Sequence, residues 1–208
     1  MNFLGHTHVA LAGGEDDPAF VLGAVLPDLA PMAGIRLAPR RMEGTLGAGV
    51  RCHLRADAAF HADPRFRAGS RALRLALAER GVESGPARAV GHAGWELLLD
   101  GTLVATATED AFRAALAEGD RALPALAGDD RERWAAFLDR RHASPGLHYD
   151  DPAWVADRLY GMLARRPRLA LPAEQVPLVA DVLAAHAPAV GDVADAVLDD
   201  TARQVNRP

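Results

Sequence analysis

Three residues in the stretch 49–64, His53, Asp57 and His61, recur at intervals of four. On a helix each such step turns a side chain by about 40° and raises it by about 6 Å, so all three line one edge. Arg51 and Arg55 fall on the opposite side. His92 and Glu96 repeat the four-residue spacing further on, and His6, His8 and Asp28 add donors near the start of the chain. Imidazoles mixed with carboxylates, and no set of thiolates, suit Zn²⁺, Mn²⁺ or Fe and argue against a cysteine-type structural zinc site. An i,i+4 contact is the ordinary role of any one such pair; the recurrence of two pairs beside Asp28 and the His6/His8 doublet is what points to one or two divalent ions. His53 and His61 lie about 12 Å apart along a helix axis, too far to share one ion through bonds of roughly 2 Å. Either Asp57 bridges two ions, or one of the two histidines acts on substrate or supports a ligand. His92 and Glu96 are expected to close the same site from a facing helix.

Helices must carry these residues, and the composition agrees. Half of the 208 residues are apolar but only 5% are aromatic, with alanine and leucine dominant, which favours packed helices over sheets. The length suits a single domain spanning 1–208. A formal charge of −5 argues against general nucleic-acid binding, which needs a basic face. The single cysteine, Cys52, excludes an internal disulfide and suits a reducing compartment. The start has neither a basic region nor a long apolar run, and no eighteen uninterrupted apolar residues occur anywhere, so a cytoplasmic protein without a membrane partner is expected. Nothing in the sequence sets an oligomeric state.

In chain order, a short helix runs to Gly13-Gly14, and Asp16-Asp17-Pro18 caps the next, over 19–29, with Pro27 expected to interrupt it just before Asp28. A loop over 31–41 leads to the histidine-bearing helix, which starts within 42–49 and stops at Asp63-Pro64. Helices follow over 66–80, closed by Gly81, and over 87–99, with Val90, Trp95, Leu97 and Leu98 as core candidates. Three more are expected over 108–126, 129–141 and 152–165, with a turn at Ser144-Pro145-Gly146, and two closing helices over 172–187 and 190–205. His142, His148 and His186 stand apart as loop or surface residues. The reading is all-α, with roughly eight to ten helices.

Four of these features together carry a resemblance. The opening Met1-Asn2-Phe3-Leu4-Gly5-His6-Thr7-His8-Val9-Ala10, the 23–28 segment, the 49–64 helix and Arg165-Arg166-Pro167-Arg168-Leu169 resemble the acyl carrier protein phosphodiesterase family, in that family's order. The resemblance implies a helical, HD-domain-like metal-dependent phosphohydrolase that removes 4′-phosphopantetheine from acyl carrier protein. By position it implies that His6, His8, Asp28, His53 and Asp57 lie at or near the metal. Two departures stand out: His61 replaces a family aspartate, and His92, Glu96 and Leu97 stand where the family has Asp-x₃-Asp-His. Imidazole in place of carboxylate makes the site softer and moves its preference from Mg²⁺ toward Zn²⁺, Mn²⁺ or Fe.

The expected activity is thus a metal-dependent phosphodiesterase acting on a phosphate ester, with acyl carrier protein as a candidate partner. Asp57 would help activate water at the metal, His61 or His92 would protonate the leaving oxygen, and Arg165, Arg166 or Arg168 would clamp phosphate. The alternatives are an HD-type di-iron oxygenase, a zinc-dependent phospholipase C-like enzyme, or a helical protein that binds metal without turnover.

Overall fold

The structure, a computed structural model, describes residues 1–126, 128–142 and 146–206, the side chains of 123–125 and 142 excepted. It is all-helical, with nine α-helices and no strand among the described residues. They are α1 (Phe3–Ala12), α2 (Pro18–Met32), α3 (Gly44–Ala62), α4 (Pro64–Glu79), α5 (Ser84–Gly101), α6 (Ala107–Ala117), α7 (Asp129–His142), α8 (Pro152–Leu163) and α9 (Val176–Val205). The turn expected at Ser144-Pro145 lies outside the described residues.

The starts of α2, α4 and α8 share one device. Asp17, Asp63 and Asp151 each precede a proline and accept a backbone N–H two residues on, at 2.8, 2.7 and 2.8 Å. The carboxylate satisfies an orphan donor while proline presets the first helical φ.

Three helix boundaries differ from the sequence expectation. Pro27 does not interrupt α2, which continues through it and through Pro31 to Met32. Phe20, Val21, Leu22, Val25, Leu26 and Leu29 are buried; at about 1.5–3 kcal/mol per large apolar side chain, their burial outweighs the roughly 3 kcal/mol cost of an interior proline. The helix expected over 108–126 ends as α6 at Ala117, and a 3₁₀ turn takes Gly119–Ala125. There Trp134 Nε1 donates to the Gly119 carbonyl at 2.9 Å. The two closing helices are one, α9, with Pro188 inside it. By length and composition the segment Ala173–Val205 is apolar enough to cross a membrane. Its buried residues, Val179, Val182, Leu183, Val190, Ala194, Val197 and Leu198, follow the three-and-four spacing of a packing stripe.

The helices gather into two compact units. The first holds 1–60, 105–147 and 198–208, and the second holds 61–104 and 148–197. In the first, α1, α2 and α6 pack on one another, and Phe3 stacks on Phe112 with ring centroids 5.6 Å apart. In the second, α5 packs against both α4 and α8, burying Leu73, Leu77, Leu99 and Leu159.

At the entry to α6, Ala105 adopts a left-handed φ of 58°. The Glu109 carboxylate holds it there by accepting the Ala105 N–H at 2.8 Å, while Thr106 caps Thr108. Ala105→Gly is expected to raise stability by up to about 1 kcal/mol by relieving the left-handed strain. Glu109→Ala is expected to cost about 1 kcal/mol by removing the cap. Thermal melts of the two variants check this pair of opposite signs, and a fall in melting temperature for Ala105→Gly would refute the strain.

Candidate metal centre

In the first unit, α1 supplies His6, α2 supplies Asp28, and α3 supplies His53 and Asp57 one turn apart. His6 is buried to 1% exposure and His53 to 3%, while both carboxylates are half-buried. The two imidazoles stack, with centroids 3.8 Å apart and planes 20° from parallel. His6 Nε2 lies 3.2 Å from Asp57 Oδ1 and 3.8 Å from Asp28 Oδ2. His53 Nε2 lies 3.6 Å from Asp57 Oδ2 and 3.9 Å from Asp28 Oδ1. The Met1 amine stands 3.3 Å from Asp57 Oδ1.

A backbone group orients one ring of this cluster. His53 Nδ1–H donates to the Ala24 carbonyl at 2.8 Å, so in the neutral ring the Nε2 lone pair faces the carboxylates. Such a contact is how a ligating histidine is oriented and its tautomer fixed. Burial, aided by the neighbouring His53, pushes His6 down to about 3, so it is neutral at physiological pH. Burial works the other way on Asp57, but His6, the Met1 amine and His53 outweigh it and hold the carboxyl well below its usual range.

The result is a neutral His6, the His53 ring stacked on it and a pair of carboxylates turned on one small volume. Among the described residues neither ring nitrogen of His6 has a well-aligned hydrogen-bond partner; the approach to Asp57 is close, at 3.2 Å, but off the line of a ring N–H. Lone pairs and carboxylates packed in this way repel unless a proton or a cation stands among them, and the Met1 ammonium beside Asp57 Oδ1 supplies part of that charge. The donor set therefore fits a divalent ion of borderline softness. His6, Asp28 and His53 present ligand atoms all within 4.8 Å of one another.

The second unit brings together His61, the penultimate residue of α3, with His92 and Glu96 of α5. His61 Nε2–H donates to Glu96 Oε1 at 3.1 Å, and His92 Nε2 lies 3.2 Å from the same oxygen. The two rings stack at 5.1 Å, and Phe66 meets both edge-on, at 5.3 and 5.2 Å. Burial alone would raise Glu96, yet the two imidazole contacts hold it well below its ordinary value. These three residues also have ligand atoms close enough for one ion. Here His61 hydrogen-bonds Glu96 and His92 lies at ion-pair distance from the same oxygen, whereas in the first cluster the ring nitrogens of His6 are buried.

The expected ligands thus fall into two groups with no member in common. His92 and Glu96 join His61, not His6, Asp28 and His53. His8, on α1, belongs to neither group. Arg165, Arg166 and Arg168 are exposed beyond the end of α8. His148 meets Trp154 edge-on, and His186 Nδ1–H donates to the Val182 carbonyl one turn back.

Sequence reasoning missed a basic depression in the second unit, lined by Ser70, Arg71 and Arg74 of α4 and by Arg88 and His92 of α5. The signal was present: Arg88, His92 and Glu96 continue one four-residue stripe, and 64–95 holds six arginines against two glutamates. Comparison of the chain with protein-family models, with curated proteins and with solved structures finds no match in any of the three.

Proposed function

We propose that the chain is a metal-dependent hydrolase of phosphate esters, with a phosphodiesterase of the acyl carrier protein type as its reference. The observation that carries this reading is the convergence of His6, Asp28, His53 and Asp57 from three helices, with His53 turned by the Ala24 carbonyl so that Nε2 faces the carboxylates. The residue pattern that resembles that family, from the Met1–Ala10 stretch to the α3 helix, supports it from the sequence side. A divalent ion held by these residues supplies a water of lowered pKa and positive charge against the phosphoryl oxygens.

The chain's own part is to keep the donors ready. Burial keeps His6 neutral and able to donate its lone pair. Asp57 stays ionised. With two imidazoles beside the carboxylates, Zn²⁺, Mn²⁺ or Fe fits better than Mg²⁺, which prefers oxygen ligands and retains its waters. A phosphodiester joining 4′-phosphopantetheine to a carrier protein is the leading substrate, and acyl carrier protein the leading partner.

Elemental analysis of protein purified without chelator is expected to find a divalent transition metal bound to the chain. The same protein is expected to cleave bis(p-nitrophenyl) phosphate and to release phosphopantetheine from loaded acyl carrier protein, and chelation should abolish both activities. Absence of metal from active protein, or two irons per chain with oxygen consumption, would overturn the hydrolase reading.

A further inference from the structure

The depression in the second unit is open to solvent, spans about 230 Å³ and is lined by Ser70, Arg71, Arg74, Arg88 and His92. Its three arginines are exposed, and no ion pair or hydrogen bond engages their side chains among the described residues. Six other arginines of the chain take an acidic partner. Arg65, Arg80, Arg113, Arg121, Arg133 and Arg203 each pair with an aspartate or glutamate. In a protein with 28 acidic residues against 23 basic ones, three unpaired guanidiniums around one depression that no carboxylate lines are a local excess of positive charge.

The packing of α4 on α5 builds that excess. A Cβ on Gly91 would stand 2.8 Å from the Ser70 carbonyl oxygen and 2.9 Å from Arg74 Cβ. Only glycine lets the two backbones meet so closely. Arg88 and His92 flank Gly91 on α5, so the close approach sets them beside Ser70, Arg71 and Arg74. His92 is in turn fixed by Glu96 and by its stack on His61. Guanidinium forks match the oxygens of a tetrahedral anion, and a serine hydroxyl adds a donor.

We propose that this depression binds the phosphate group of a small phosphorylated molecule, with Arg74 and Arg88 as opposed clamps from α4 and α5 and with Arg71, Ser70 and His92 completing the ring. The volume lies below the roughly 300–1,000 Å³ typical of drug-sized ligands, which suits phosphate with a short substituent or the phosphate end of a longer ligand. Phosphate occupancy is read without turnover, so its loss and the loss of the hydrolase reading are separate results.

The test is calorimetric titration of the full chain, in chelator and at low ionic strength, with inorganic phosphate and with glycerol 3-phosphate. Saturable binding is expected, and Arg74→Ala with Arg88→Ala should weaken it by about tenfold or more. Arg74→Lys with Arg88→Lys keeps the charge but loses the forks, and should fall between. Arg165→Ala with Arg166→Ala should leave binding unchanged. Tighter binding of the free anion identifies phosphate itself as the ligand, and tighter binding of the ester identifies a phosphorylated metabolite. No saturable binding, undiminished binding by a still-helical Arg74→Ala/Arg88→Ala protein, or equal weakening by the Arg165→Ala/Arg166→Ala pair would overturn the site.

Discussion

Asp57→Ala is expected to lose bound metal and phosphodiester turnover together while the protein keeps its helical content. Asp57 is the one residue of the first cluster within 3.6 Å of both imidazoles, through Oδ1 to His6 and Oδ2 to His53. Residues that merely orient a metal ligand are typically worth about 10–100-fold in affinity or activity, so a carboxylate set among the donors should cost at least about 10²-fold. The fold itself loses less, because the side chain is about one-third exposed and fills no apolar core. Asp57→Asn separates charge from shape: it keeps the volume and one carbonyl oxygen, and should fall nearly as far as alanine if negative charge is what holds the ion. Metal content, turnover and far-ultraviolet dichroism on the same preparations decide the matter. Wild-type metal content in a folded Asp57→Ala protein would remove Asp57 from the centre.

His6, Asp28 and the four-residue spacing on α3 were legible in the sequence, the last because helical period is a one-dimensional property, whereas His8 joins neither cluster. What the spacing could not provide was partition. His53 and His61 share an edge of one helix, yet each gathers different partners, and that depends on which other helices pack against each end. The orientation of His53 was equally hidden, since its partner is the Ala24 carbonyl and every residue carries one. The Arg165-Arg166-Pro167-Arg168 run is conspicuous because it is contiguous, whereas Arg71, Arg74 and Arg88 come together at one depression only once α4 packs on α5. Pro27 misled for a related reason: its local cost was visible and the burial that offsets it was not.

The close approach of α2 and α3 is the feature on which the metal cluster depends most, and Gly49→Ala tests it. An added Cβ at Gly49 would stand 2.1 Å from the Phe20 carbonyl oxygen and 2.8 Å from the Ala24 nitrogen. The reciprocal position, Gly23, would place its Cβ 2.1 Å from the Leu46 carbonyl oxygen. All of these neighbours are backbone, which cannot swing aside, so the helices would have to part by roughly 1 Å to regain ordinary contact. Alanine normally gains about 1 kcal/mol over glycine inside a helix. Here overpacking against backbone should reverse the sign and cost about 3 kcal/mol or more. Parting the helices also strains the 2.8 Å bond from His53 to Ala24, one turn along α3, so bound metal should fall with the melting temperature. Gly161→Ala in α8 and Gly191→Ala in α9 supply the contrast, because a Cβ at either meets nothing within 4 Å. Both should stabilise, by about 0.5–1 kcal/mol. If Gly49→Ala instead melts as high as those two and retains its metal, the helix crossing is looser than 2.1 Å implies, and the placement of His53 against Asp28 must come from elsewhere in the unit.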